Sequence, residues 1–312
     1  MIEKTLRPVE EHESYVQLHD FVEVHGAVSE TTLTVPTGEL ARPEIVDLYN
    51  GFGAFKKTMG PLATALADYG IASFHSAPIR GSSRSPLEDI FDPNTVHLDT
   101  HREIFNKLAS NKELANLPNG WLLSMVKRIN AGHSYGGETA TENTLEHPDE
   151  VEGLVLIESV GLEAAQRLRF ARRAGSFLVH ELVPFVSHHG PDYKLHDGVL
   201  AAEHLFGNPF QTIGEARACN RSDIREALPV ITSLGIGLAV LAGRRDHLLP
   251  AAPMREYAKP HAHYYEEMPV NHLGPQQYAT IVGYFVSEAL DRLAQRHEPN
   301  VAVHNGIDLI AS

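Results

Sequence analysis

Cysteine is almost missing from this chain. Cys219 is the single thiol among 312 residues, so no disulfide can close within it. That fits a reducing compartment. Long apolar runs are missing as well. The longest, around Ile236 to Leu241, is far short of the roughly 20 residues a membrane-spanning helix needs. The opening residues, Met1-Ile2-Glu3-Lys4-Thr5-Leu6, lack the apolar centre of a signal peptide, and the expected location is the cytoplasm. Basic charge is in deficit, with 26 Lys and Arg against 40 Asp and Glu and a formal net charge of -14. Such a chain is a poor match for a phosphate backbone. It has no basic amphipathic stretch to lie on a membrane surface. Neither nucleic acid nor membrane is expected as a partner, and the charge reads as solubility. There are no internal repeats and no low-complexity segments.

What is present is an ordinary globular composition, 43% hydrophobic and 21% charged, long enough for one large domain with an insertion. At its centre stands Gly132-His133-Ser134-Tyr135-Gly136-Gly137. An apolar run stops at a serine held between glycines, and a helical segment follows. The spacing Gly-x-Ser-x-Gly suits a sharp strand-to-helix turn that lifts the serine hydroxyl out of a sheet. Small residues at Gly132 and Gly136 remove the collisions that larger ones would cause on such a turn. The Tyr135 N–H falls at the start of the helix, where developing negative charge is favoured.

Around this stretch the chain alternates strands and helices. Two β-rich runs, Tyr15 to Val24 and Thr31 to Val35, suggest a hairpin turning near Gly26. Buried strands are expected over Glu44–Tyr49, Ile71–Phe74, Leu154–Glu158 and Gly237–Ala242, with a last strand over His263–Met268. Helices are expected after Asn50-Gly51-Phe52 up to a C-cap at Gly70, over Thr100–Leu117, from the serine turn to about His147, near Ser222–Leu234, over Ala252–Ala258 and over Gln276–Arg296. The alternation breaks between Gly161 and Ser222, where helical pieces are joined by Pro184, Gly190-Pro191 and Gly207-Asn208-Pro209. This reads as a helical insertion lying over the sheet. The expected domains are a core of residues 1–160 and 223–312 and an insertion of 161–222; residues 297–312 carry no readable pattern. The fold class is α/β, a mostly parallel central sheet with helices on both faces.

Ser134, Asp246 and His272 each follow a predicted strand, where ligands meet sheets of this kind. A serine hydroxyl needs a base, and a histidine needs a carboxylate to orient it. The chain order Ser, Asp, His is that of one known arrangement. With Asn50-Gly51-Phe52-Gly53, Arg80-Gly81-Ser82, Gly243-Arg244-Arg245-Asp246 and Asn271-His272 also in order, the chain resembles the α/β-hydrolase superfamily. The resemblance is to a serine hydrolase with a cap inserted after the sixth strand, and it runs from about Ala41 to Arg296.

The resemblance implies Ser134 as nucleophile, His272 as base and then acid, and Asp246 as the orienting carboxylate. It also implies an oxyanion hole formed by the backbone N–H groups of Tyr135 and Phe52. Asn50 departs from the His-Gly pair more usual at that loop. Glu158, after the sixth strand, is an alternative acid. His247 beside Asp246 reads as an exposed loop histidine, and His133 as structural. Nineteen histidines raise the question of a metal, but His188-His189 and His261-x-His263 lack a third ligand at a recognisable spacing. Gly51-x-Gly53 is followed by Lys56 where a dinucleotide loop needs glycine. No metal and no cofactor are expected.

Within the insertion, Arg167, Arg169, Arg172 and Arg173 read either as a solvated helix face or as a contact for an anionic substrate. Phe177, Leu178, Leu182, Phe185, Leu205, Phe206 and Phe210 read either as an acyl pocket or as the insertion's own core. The expected activity is hydrolysis of a carboxylic ester through an acyl-enzyme, with a small-molecule ester or related acyl compound as partner and homo-oligomerisation left open. Thioester, amide or peptide, carbon–carbon and perhydrolysis chemistry are alternatives on the same groups. A non-catalytic protein that binds a small ligand in the same cavity is the alternative of another class.

Overall fold

The computed structural model describes residues 7–11, 13–24, 27–51, 59–78, 93–110, 127–163, 173, 176–177, 179–180 and 209–296. Its frame is a nine-stranded sheet: β1 (Arg7–Glu11), β2 (Tyr15–Val24), β3 (Ala27–Pro36), β4 (Ile45–Tyr49), β5 (Ala72–Pro78), β6 (Arg128–His133), β7 (Val151–Ile157), β8 (Gly237–Gly243) and β9 (Tyr264–Met268). The order across the sheet is β1-β2-β3-β5-β4-β6-β7-β8-β9. The first three strands form an antiparallel meander, and β3 pairs antiparallel with β5. From β5 onward every pairing is parallel.

The fully buried patterns of β4 and β8 explain their mainly apolar sequences. Parallel strands covered on both faces cannot alternate apolar with polar. One face packs Val46, Leu48, Ala131, Val155 and Leu241 against α1 (Gly60–Asp68) and the long C-terminal helix Ala279–Gln295. The other packs Leu154, Leu156, Leu238 and Val240 beneath the helices Ala227–Ser233 and Ala251–Tyr257. Among the described residues the helices run, in chain order, α1, α2 (Pro93–Ser110), α3 (Gly136–Glu146), α4 (Pro209–Cys219), α5 (Ala227–Ser233), α6 (Ala251–Tyr257), α7 (Gly274–Gln277) and α8 (Ala279–Gln295).

Several boundaries differ from expectation. Strand β1 was not read from the sequence. Helix α2 starts at Pro93 rather than Thr100, in keeping with proline's fitness for the first helical turn. The final helix is two, because Tyr278 leaves helical geometry at φ -129° and ψ 39°. Helix α3 is the instructive case. Its sequence is polar, yet Thr139, Thr141, Asn143 and Thr144 are buried. Two of them are satisfied within the helix: the Thr141 and Thr144 hydroxyls donate to the carbonyls of Gly137 and Ala140 at 2.7 Å. Asn130 of β6 donates to Asn143 Oδ1 and Thr144 Oγ1 at 3.1 and 2.9 Å. The helix that begins at the serine turn is thus fastened to its strand by polar bonds as well as apolar contacts. No helix among the described residues is long and apolar enough to cross a membrane.

Candidate active site

The turn between β6 and α3 places Ser134 at φ 54°, a left-handed conformation that costs a non-glycine residue on the order of 1 kcal/mol or more. The surroundings hold it there. Its N–H donates to Ile157 O at 3.0 Å, and its carbonyl oxygen accepts from the N–H groups of Gly137 and Val160, both at 3.1 Å. The glycines are required by close approach. A Cβ on Gly132 would stand 2.3 Å from Gly136 O, and one on Gly136 would stand 2.3 Å from Tyr49 O. These are backbone atoms that cannot swing aside.

Asp246 follows β8 in a loop folded around its own carboxylate: Oδ1 accepts from the N–H groups of Leu248 and Leu249, each at 2.7 Å. His272 follows β9 in a loop pinned by Asn271, whose Oδ1 accepts from Leu273 N–H at 3.1 Å and whose Nδ2 donates to Gln277 Oε1 at 3.1 Å. The ends of three strands therefore converge. His272 Nδ1 lies 2.8 Å from Asp246 Oδ2, and its Nε2 lies 3.0 Å from Ser134 Oγ. With Nδ1–H donated to the carboxylate, Nε2 is left to accept the serine proton. All three residues are at least 94% buried, so the electrostatic coupling along the line is little screened by water.

The structure brings Ser134, Asp246 and His272 together, and it is Asp246 rather than Glu158 that meets His272 Nδ1. Glu158 is wholly buried, with φ 46°, and its Oε2 lies 3.4 Å from His133 Nε2. That nitrogen donates to the carbonyl oxygen of His272 at 2.9 Å. Burial, and then the neighbouring His272, push the His133 imidazole down to about 3, so it is neutral. His247 is exposed and its ring stacks on His180 with centroids 5.2 Å apart. Tyr135 heads α3 with a buried phenol whose ionisation is pushed upward, mostly by burial and then by Cys219, Glu215 and Glu138. Cys219 is itself buried with a raised thiol.

Phe52 lies outside the described residues, as do Arg167, Arg169, Arg172, His188, His189 and most of the 161–222 insertion. Where the insertion is described, Phe177 sets its ring edge-on to His272, centroids 5.6 Å apart at 90°. Arg173 is held in a two-pronged ion pair by Glu163. Among the described residues one set could ligate a metal, namely His133, Glu158 and His272, with ligand atoms within 4.8 Å of one another. Both nitrogens of His272 and Nε2 of His133 are already hydrogen-bonded. Sequence reasoning missed the clamp after β7: Glu158 turns the chain left-handed so that Val160 can bond back to the serine turn. Only its carboxylate at a strand end was visible beforehand.

No family model matches the chain, and no curated protein does. Solved structures do. A membrane phospholipase A described as a bacterial virulence factor is 17% identical over 88% of this chain and 86% of its own, with a TM-score of 0.63. An esterase from Exiguobacterium antarcticum is 15% identical over 86% and 98%, TM-score 0.61. A proline iminopeptidase from Mycobacterium smegmatis is 16% identical over 89% and 99%, TM-score 0.59. These likenesses speak to the fold alone: the chain has the α/β-hydrolase fold.

Proposed function

We propose that the protein is a cofactor-independent serine hydrolase acting on a carboxylic ester. The observation that supports it is the line Ser134 Oγ, His272 Nε2, His272 Nδ1, Asp246 Oδ2, closed by bonds of 3.0 and 2.8 Å. Ser134 attacks the ester carbonyl carbon while His272 Nε2 takes its proton. Asp246 stabilises the resulting imidazolium without taking the proton. The carbonyl π bond breaks and its electron pair moves onto oxygen, which the N–H groups of Tyr135 and Phe52 would receive. As the carbonyl re-forms, the bond to the alkoxy group breaks, and His272 returns the proton to that oxygen. An acyl-Ser134 remains. A water, deprotonated by His272, attacks it; the carboxylic acid leaves and the serine is restored.

A carboxylate nucleophile, as ring-opening and dehalogenating chemistry on this fold requires, is not what the turn carries. The insertion, residues 161–222, is read as a cap, and Phe177 against His272 as part of the wall that meets the acyl group. The structures resembling this chain include esterases, a peptidase, an enol-lactonase and a bromoperoxidase. The frame therefore supports several acyl chemistries, and the substrate must be found by experiment. A fluorophosphonate should label the native protein at Ser134 and leave Ser134→Ala unlabelled. Nitrophenyl esters of graded acyl length should then be turned over, with a length preference altered in Phe177→Ala. A native protein that takes no label and cleaves none of the esters is a ligand binder, and the reading fails.

A further inference from the structure

A second acid–imidazole–hydroxyl line runs through the sheet on the far side of β4. Asp47 Oδ1, on β4, lies 2.5 Å from His101 Nδ1, on α2. His101 Nε2 lies 3.1 Å from Ser76 Oγ, on β5. All three are buried, and the Tyr49 ring stacks on the His101 ring at 4.0 Å and 16°. Arg128 Nη1 approaches the other Asp47 oxygen at 3.9 Å. Ser76 is no second nucleophile. It sits inside a strand, paired with Thr31 of β3, and no turn lifts its hydroxyl out of the sheet.

Its carbonyl oxygen, however, accepts from Asn50 Nδ2. Asn50 directly follows β4 and precedes Gly51. Gly51 lies hard against the serine turn: a Cβ there would stand 3.1 Å from Ser134 Cβ and 3.3 Å from His133 Nδ1. The line therefore ends at the backbone that faces Ser134. A donor misplaced by about 1 Å in such a loop can cost a hundredfold in rate.

We propose that His101 and Ser76 are positioning residues that fix the Asn50–Gly51 backbone beside Ser134, with Asp47 holding the His101 ring from behind and serving stability. The inference rests on the serine-hydrolase reading. The imidazole holds the acid with one nitrogen and the serine with the other, so the two halves can be separated. His101→Asn places an amide near the Nδ1 position and keeps Asp47 satisfied. His101→Gln reaches the Nε2 position and keeps Ser76. A buried carboxylate left without its partner costs stability; a loosened loop costs rate.

The readouts are the second-order rate of Ser134 labelling by a fluorophosphonate, kcat and KM for p-nitrophenyl acetate, and the melting temperature. His101→Gln should melt lower than His101→Asn yet label at near the native rate. His101→Asn should melt higher yet label about tenfold more slowly, short of the roughly 10²- to 10³-fold for losing an oxyanion donor outright. Ser76→Ala, the mildest change, should keep the native melting temperature within a few degrees and label about tenfold more slowly, with kcat falling and KM unchanged. Rates that simply follow melting temperature, or a native rate in Ser76→Ala, overturn the proposal and leave the hydrolase reading standing. A native protein unlabelled at Ser134 overturns both.

Discussion

Glu158 Oε2 stands 3.4 Å from His133 Nε2, so a second carboxyl group reaches the His272 loop through an intervening imidazole. The two acids at the site thus stand in different relations to His272. Asp246 bonds its ring; Glu158 faces the histidine that bonds its carbonyl oxygen.

That difference sets the first prediction. Asp246→Asn leaves an amide where Nδ1–H needs a carboxylate, and kcat should fall about 10⁴-fold, as when the acid of such a triad is neutralised. Glu158→Gln should lower kcat by about tenfold or less. Steady-state kinetics on one nitrophenyl ester decide it. Equal losses from the two substitutions would make Glu158 the working acid and sink the assignment.

The second prediction concerns acid. His133 ionises near 6.5 in the unfolded chain and only near 3 when folded. Between those values the unfolded state holds a proton that the folded state lacks. Stability therefore falls as pH falls through that window, approaching about 1.4 kcal/mol per pH unit. Between pH 7 and pH 5 this one group should remove about 2 kcal/mol. His133→Gln keeps a donor for the His272 carbonyl and has nothing to titrate. Urea melts at both pH values should show the native protein losing about 2 kcal/mol more than the variant. Parallel losses would mean that His133 titrates normally.

Much of this was legible in the sequence because the parallel strands announce themselves. Ile45–Tyr49 and Gly237–Gly243 are short apolar runs ending in turns, and a site at their carboxyl ends follows from the topology. Helix α3 was placed by its glycines and not by hydrophobic periodicity, since its buried face carries Thr139, Thr141, Asn143 and Thr144. What stayed hidden are contacts between residues distant in sequence. Asp47, Ser76 and His101 form no local pattern, and nothing in the spacing announces a bond from Asn50 to the Ser76 carbonyl. Glu158 was visible as a strand-end acid. Its left-handed turn, and the bond from Val160 to Ser134 that the turn permits, depend on packing against β6 and β8. Strand β1 was missed because Arg7-Pro8-Val9-Glu10-Glu11 has little strand character of its own.

The third prediction tests the serine turn. Gly132→Ala forces a methyl against Gly136 O and Gly137 Cα, at 2.3 and 2.5 Å. Overpacking against backbone should cost about 3 kcal/mol or more, with activity lost at temperatures where the fold survives. Gly60→Ala is the control, since its Cβ would meet nothing within 4 Å. It should be neutral or slightly stabilising. Denaturant melts of both variants check this, and similar values for the two would mean that the turn is looser than its contacts require.

The last prediction lies one helical turn beyond the serine. Glu138 sits in the first turn of α3, where the helix dipole favours a negative charge by at most about 1 kcal/mol. Burial outweighs it. Burial, and then the Glu142 carboxylate, push the Glu138 carboxyl from 4.5 up to about 8, with the nearby Ser222 hydroxyl pulling the other way. Between those two values the folded state holds a proton that the unfolded state has lost. Stability should therefore fall as pH rises through the window, the reverse of the His133 effect. The side chain is only partly buried, so solvent screening brings the total to on the order of 2 kcal/mol. Glu138→Gln keeps the side chain's size and removes the titration. The variant should match the native protein near pH 5 and exceed it by about that amount at pH 8. A stability gain equal at both pH values would show that Glu138 is ionised throughout, and that the start of α3 tolerates a charge that its burial argues against.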